Sequence, residues 1–225
     1  DAAMTLKEKL TACIQRAVDA QELPGATVLV LRHGKEVAYA EGGLMDRENN
    51  RPMARDTICR LYSQTKPITA AAIMLLMERG IIDLFDPVEK FLPGFAHPRV
   101  AEGGKLIPAI RSVTIMDLLG MTAGTCYPDD MDVAGLAAKK LFEENDERIR
   151  QGKGMTTVEL CNRIGELPLA FQPGSHFRYG TCADVLGGIV EVASVRSFSQ
   201  FLREEFFEPL GMADTGFYVP AEKRD

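Results

Sequence analysis

Apolar positions along the chain change their period twice, and those changes set out its elements. Leu6, Leu10, Cys13, Ile14, Ala17 and Val18 recur at three- and four-residue intervals. That is the spacing of one helix face, and it predicts an amphipathic helix over 5–20. Thr5-Leu-Lys-Glu8 has the form of a capping box, in which hydroxyl and carboxylate each satisfy an orphan amide. Pro24-Gly25 closes this region. Ala26–Leu31 then reads as a buried strand and Glu36–Glu41 as its partner, with Arg32-His-Gly-Lys35 as a short hairpin loop. Gly42-Gly43 and a polar stretch, 46–55, lead out of the hairpin.

From Arg60 onward the period is mostly helical. Ile68–Met77 is apolar nearly all round, which predicts a helix buried at the centre of a domain, with Met74 and Met77 filling the core. Pro67 fits only a first turn, so the helix starts near Ser63, and Gly80 stops it. Pro87, Pro93 and Gly94 make 83–95 turn-rich, with at most one helical turn. Thr114-Ile-Met-Asp117 is a second capping box, opening a short helix to Leu119 before a loop, Gly120–Pro128. Further helices are expected over 132–149, from Thr156 to about Glu166, from Ala183 to Ala193 and from Phe198 to Phe207. The charged stretch 139–150 reads as a solvated face.

About seven helices thus accompany one hairpin. A lone hairpin is marginal in water unless more strands or a helix cover it. The chain closes on Ala-Glu-Lys-Arg-Asp225, a loop composition, so further strands are expected from a complementary C-terminal chain or a segment beyond it. The domain reading is 1–45 for the first helix and two strands, and 46–225 for a helical domain. Met4 before a well-capped helix reads as a native start, with Asp1-Ala2-Ala3 added ahead of it.

Composition narrows the function more than the fold. The 225 residues are 46% apolar and 26% charged, as in ordinary globular proteins. A net charge of −6 without a basic cluster disfavours nucleic acid and anionic membrane as partners. No apolar run reaches the ~20 residues of a membrane span. The five scattered cysteines read as free thiols in a reducing compartment. With no charged n-region ahead of an apolar core, the cytoplasm is the expected location, a processed secreted or periplasmic protein being the alternative.

Ser63 and Lys66 stand three apart at the start of the most apolar helix, hence on one face. A serine hydroxyl needs a base to become a nucleophile, and a lysine serves if burial or a second cation lowers its pKa. Tyr179 sits at an extended-to-helix junction, where an adjacent ammonium would push the phenol toward phenolate and make it a proton acceptor for Ser63. Phosphate loops, Gly-x-Ser-x-Gly and zinc patterns are absent, so neither cofactor nor metal is expected. His33, His97 and His176 fall in loops and read as surface or packing residues.

Several stretches together resemble the serine β-lactamase and penicillin-binding superfamily, especially its class C β-lactamase, DD-peptidase and esterase branch. They are Leu23-Pro-Gly-Ala-Thr-Val, Leu61-Tyr-Ser-Gln-Thr-Lys-Pro-Ile-Thr, Ile81–Pro93, Thr114-Ile-Met-Asp-Leu-Leu, Pro173-Gly-Ser-His-Phe-Arg-Tyr and Phe207-Glu-Pro-Leu-Gly-Met-Ala-Asp-Thr-Gly. The resemblance implies an α/β (α+β) protein of β-lactamase/transpeptidase-like fold whose antiparallel sheet is incomplete here. It implies Ser63 as the acylated nucleophile, Lys66 assisting its deprotonation, and Tyr179 relaying the proton. Tyr62, Gln64, Met121 and Thr181 become the substrate-side positions, and the Ser63 amide one oxyanion donor.

This chain departs from that pattern twice. Tyr179-Gly180-Thr181 stands where the family often has Tyr-x-Asn, which favours an ester over an amide substrate. The third motif, a Lys/His-x-Gly strand carrying the second oxyanion amide, is absent. The expected reaction is hydrolysis of carboxylic esters or small amides through an acyl-enzyme. The alternatives are a true β-lactamase, a D-alanyl-D-alanine carboxypeptidase, or a non-catalytic penicillin-recognising protein.

Overall fold

In the computed structural model, which describes residues 3–224, the chain divides into two compact units, Asp1–Arg60 and Leu61–Asp225. The expectations that concern Asp1, Ala2 and Asp225 lie outside the described residues.

The first unit is a helix on a small sheet. Helix α1 (Leu6–Asp19) starts at Thr5, whose hydroxyl accepts from the Glu8 amide while the Glu8 carboxylate accepts from the Thr5 amide, so the capping box forms as expected. Strands β1 (Gly25–Arg32) and β2 (Lys35–Asp46) pair antiparallel around His33-Gly34. Both turn residues have positive φ, 50° and 73°, the type I′ geometry whose twist suits a two-residue hairpin. Ile14 of α1 and Ala38 and Ala40 of β2 are buried. Gly42 permits the close approach of the helix, because a Cβ there would lie 2.8 Å from Ile14 Cγ2. The stretch 46–55, read as a polar exit, contains a third short strand, β3 (Arg51–Pro52), beside β2. Leu29, Leu31 and Val37 of the hairpin are exposed.

The second unit holds the main core. A 3-10 turn (Tyr62–Gln64) leads into helix α2 (Thr65–Glu78), with Pro67 in its first turn. Thr69, Ala72, Ile73 and Leu76 form its buried face. The helix is not buried all round: Met74 is 43% exposed, so only Met77 packs against the core. Two 3-10 turns, Val88–Lys90 and Pro93–Phe95, occupy the turn-rich segment where at most one was expected. A second hairpin, missed in the sequence, follows as β4 (Arg99–Glu102) and β5 (Lys105–Pro108) around Gly103-Gly104. Its strands are four residues long and alternate too briefly to announce themselves, although the Gly-Gly turn is a hairpin signal.

Helix α3 (Ile115–Leu119) begins at the expected Thr114–Asp117 capping box. Helix α4 (Val133–Arg150) is capped by Asp132, and α5 (Thr157–Gly165) by Thr156. Helix α6 (Cys182–Ser194) buries Val185, Leu186, Ile189 and Val190 and packs on α2, α3 and α5. Gly188 brings α6 and α5 together, since a Cβ there would sit 2.6 Å from Cys161 Sγ. Helix α7 (Phe198–Leu202) runs on into a π-helical turn, Arg203–Phe207. No single helix among the described residues is long and apolar enough to cross a membrane. All five cysteines are free.

Candidate active site

The chain enters α2 through Tyr62, whose φ of 48° is an uncommon left-handed conformation for an aromatic residue. Such backbone strain concentrates at functional sites. Immediately after it, Ser63 Oγ lies 3.1 Å from Lys66 Nζ, one helical turn on. The Tyr179 hydroxyl, 116 positions away in sequence, lies 3.0 Å from the same oxygen. The three residues singled out from the sequence therefore meet at one atom.

Two loops docked on each other carry Tyr179. The Arg178 amide donates to the Met121 carbonyl at 3.0 Å, and the Gly174 amide to the Thr122 carbonyl at 2.8 Å. The Arg178 guanidinium spans Asp132 (2.5 Å) and Asp129 (2.8 Å), tying the tyrosine loop to the N-terminus of α4. Burial opposes the Arg178 charge, but the two carboxylates outweigh it and raise its pKa. Gly180 completes the contact, since a Cβ there would fall 2.1 Å from the Thr125 carbonyl oxygen.

Tyr127, which the sequence reading passed over as part of a loop, is a fourth member. Its ring stands 5.6 Å from that of Tyr179, tilted by 54°, and the Lys66 ammonium lies 5.6 Å and 4.8 Å from the two ring centroids. An ammonium over ring faces is held by their quadrupoles. Burial pulls the Lys66 pKa down, but hydrogen bonds to Tyr127 and Tyr179 outweigh it, and the net shift is upward. The expected route to a basic lysine, a lowered pKa, is thus not the one built here. Tyr179 shifts the other way: its hydrogen bond with Lys66 first, and that with Ser63 second, lower its pKa. Lys66 is the cation of the site and Tyr179 the group best placed to accept a proton.

Beside Lys66 opens a cavity of about 360 Å³. Tyr62, Tyr127 and Asp184 lie on its wall, and Leu160, Cys161 and Phe198 are among its apolar lining. Among the described residues Ser63 has no histidine partner, and His176 instead pairs with Ser175 at 2.8 Å. Cys126 is buried, and that burial pushes its thiol up to about 11, away from nucleophilic use. Among the described residues no group of three or more His, Cys, Asp or Glu side chains is placed to hold a metal ion.

The family description "Beta-lactamase" matches residues 10–225. The chain belongs to the beta-lactamase family. Esterase EstB of Burkholderia gladioli is 37% identical over 220 residues, covering 98% of this chain and 53% of EstB. Lovastatin esterase of Penicillium rubens is 28% identical over 222 residues, covering 94% of this chain and 53% of that enzyme. Among solved structures, EstCE1, described as a hydrolase with promiscuous acyltransferase activity, superposes with a TM-score of 0.78 at 30% identity. That match covers 95% of this chain and 54% of EstCE1. The β-lactamase/transpeptidase-like fold is therefore established, and the chain spans about half the length of the curated relatives it matches.

Within this family frame the four substrate-side positions separate. Tyr62 is 76% exposed and lines the cavity. Gln64 is exposed in the 3-10 turn, its amide donating to the Leu61 carbonyl. Met121 has φ 55°, packs against the core and serves the site through its carbonyl, which holds Arg178. Thr181 is fully buried, so its side chain does not face a substrate. Its place directly before α6, whose first turns are core, explains the burial.

Proposed function

We propose that this chain carries the nucleophile half of a serine esterase that works through an acyl-enzyme on Ser63. The observation that carries the reading is the convergence of Lys66 Nζ and Tyr179 Oη on Ser63 Oγ, at 3.1 and 3.0 Å. Tyr179 takes the Ser63 proton as Oγ attacks the ester carbonyl carbon. Lys66, as ammonium, stabilises the phenolate side of that exchange. The protonated tyrosine then returns its proton to the departing alcohol, leaving the acyl group on Ser63. Water activated by Tyr179 releases the acid, and the same geometry serves an alcohol acceptor, in keeping with the acyltransferase activity in the description of EstCE1. The Ser63 amide would supply one oxyanion donor, a contribution of about 2.7–4 kcal/mol.

Esters are preferred to β-lactams because the position that would present an asparagine amide is Thr181, whose side chain is buried. The second oxyanion donor and the strands that complete the sheet are proposed to come from a complementary C-terminal segment or chain, as the half-length match to the relatives suggests.

The test is turnover of a short-chain nitrophenyl ester, a chromogenic cephalosporin and a fluorescent penicillin by the full-length protein and its Ser63→Ala variant. Ester hydrolysis lost on substitution supports the esterase. Comparable cephalosporin hydrolysis would make it a β-lactamase, and a stable penicillin label at Ser63 without turnover a peptidase or a penicillin-recognising protein. Equal behaviour of both proteins with all three reagents overturns the nucleophile.

A further inference from the structure

Tyr179 stands on a surface loop with few anchors. Gly174, Ser175, His176 and Phe177 are exposed, and Tyr179 itself is exposed as well. Within 174–179 only Arg178 is drawn in, its side chain 19% exposed. Arg178 grips the facing 121–132 loop at both ends. Its amide donates to the Met121 carbonyl at 3.0 Å, while its two terminal nitrogens donate to Asp129 Oδ2 at 2.8 Å and Asp132 Oδ2 at 2.5 Å. Tyr127 lies between these anchors, and its ring meets that of Tyr179 at 5.6 Å.

Both carboxylates are oriented by their own backbone. Asp129 Oδ1 accepts the Met131 amide at 2.9 Å, and Asp132 Oδ1 accepts the Gly135 amide at 2.9 Å as the cap of α4. Each is left with Oδ2 for the guanidinium. Gly135 makes the seat for Asp129, because a Cβ there would fall 1.8 Å from Asp129 Oδ1. A planar fork on two oriented carboxylates fixes direction as well as distance.

We infer that Arg178 is a positioning residue: through Asp129 and Asp132 it holds the Tyr179 hydroxyl on Ser63 Oγ, and it acts on the reaction only through that tyrosine. The inference rests on the Ser63–Lys66–Tyr179 reading of the site. The side chain of Arg178 bonds to Asp129 and Asp132, whereas that of Tyr179, the next residue, bonds to Ser63. A loosened clamp therefore carries the phenol away from the serine.

The test is a double-mutant cycle in the full-length protein. Arg178→Gln should lower kcat for a nitrophenyl ester by about 10–100-fold, the scale of a displacement of about 1 Å, with KM changed less than about twofold. In a Tyr179→Phe background the same substitution should cost less than about twofold in kcat, because the group it positions is already gone. Asp129→Asn and Asp132→Asn keep an oxygen for their own backbone, and Asn caps a helix as well as Asp does. Each should reproduce part of the Arg178→Gln loss, and that part should vanish in Tyr179→Phe. Arg178→Lys keeps the charge without the fork and serves if Arg178→Gln does not fold; the same pattern with a smaller loss is expected. Ser63 phosphonylation by a fluorophosphonate, timed by intact mass, reads the same rates where ester turnover is slow. An equal fold-loss with and without the Tyr179 hydroxyl would make Arg178 merely structural and overturn the inference. A rise in KM with kcat unchanged would overturn it equally. Wild-type turnover by Tyr179→Phe would instead strike the reading of the site, a separate failure.

Discussion

Tyr179 Oη and Ser63 Oγ lie 3.0 Å apart although they stand 116 positions apart in sequence, and Lys66 reaches both. The serine oxygen is thereby shared between a phenol and an ammonium, and the two pKa values move apart: Lys66 up, Tyr179 down. Groups with diverging pKa values are the usual assignment of acid and base in an active site. Tyr179→Phe removes only the proton carrier. The expected outcome is a fall in kcat of about 10²–10⁴, the scale of general acid–base catalysis, with KM for a nitrophenyl ester little changed. A fall of less than tenfold would move the base elsewhere.

The pH dependence follows from the same two shifts. Activity needs Tyr179 deprotonated and Lys66 protonated, so it should rise through a Tyr179 titration below the ordinary phenol value and fall only through a Lys66 titration above the ordinary ammonium value. The hydrogen bond from Lys66 is the leading cause of the lowered Tyr179 pKa. Lys66→Ala should therefore move the rising limb to higher pH, besides reducing the plateau. Stopped-flow hydrolysis between pH 6 and 11 reads both effects, and an unmoved rising limb would disconnect Lys66 from the tyrosine.

How far the sequence disclosed this site depends on which residues signal by spacing and which by contact. Ser63 and Lys66 were legible because i and i+3 on a helix define their own geometry, and Tyr179 because it stands at a junction matching a known motif. Tyr127 was not. A single aromatic in the loop before Pro128 carries no periodicity, and its role exists only once that loop docks on Tyr179. Thr181 erred in the opposite direction: its place in the motif pointed to the substrate, but the helix it precedes is core on its first turn, and burial decided. In the fold, α1, α3 and the β1–β2 hairpin were legible from caps and turn chemistry. The β4–β5 hairpin was hidden because its strands, four residues each, alternate too briefly to signal by pattern, and the separate bridge from Val100 to Leu169, 69 residues downstream, is not encoded locally either.

Stability should depend on Asp117 beneath the site loops. Its buried carboxylate accepts two hydrogen bonds from Arg111, at 2.6 and 2.8 Å, and one from the Thr114 amide. Burial alone would raise its pKa, but Arg111 and Thr114 prevail and lower it. Asp117→Asn should destabilise by about 2–3 kcal/mol; the full cost of breaking a buried pair is not expected because Arg111 still reaches solvent. A carboxyl whose folded pKa is depressed contributes stability above its unfolded pKa, about 4, and loses it as pH falls through the folded value. Urea midpoints at pH 7 and below pH 4 should thus differ more for wild type than for Asp117→Asn. Equal pH dependence would show that the pair contributes no linked protonation.

Gly180 offers the sharpest separation of site geometry from stability. Its backbone conformation does not require glycine for φ; the requirement is space, with the Thr125 carbonyl oxygen 2.1 Å from where a Cβ would stand. Both neighbours in that contact are backbone, so Gly180→Ala must push the tyrosine loop off the 121–128 loop. Tyr179 and Tyr127 sit on opposite sides of that seam, one residue from Gly180 and two from Thr125. A displacement of about 1 Å at a catalytic group can cost about 10²-fold in rate, whereas the loop carries little of the buried core. Gly180→Ala should therefore lower kcat on a nitrophenyl ester by about 10–100-fold while shifting Tm by only a few degrees. Gly120→Ala is the control: it has φ −86°, and the nearest atom to its Cβ, the Met116 carbonyl oxygen, is at 3.5 Å, so the methyl fits without displacement. If both variants lose activity alike, the seam beneath Tyr179 does not set its position.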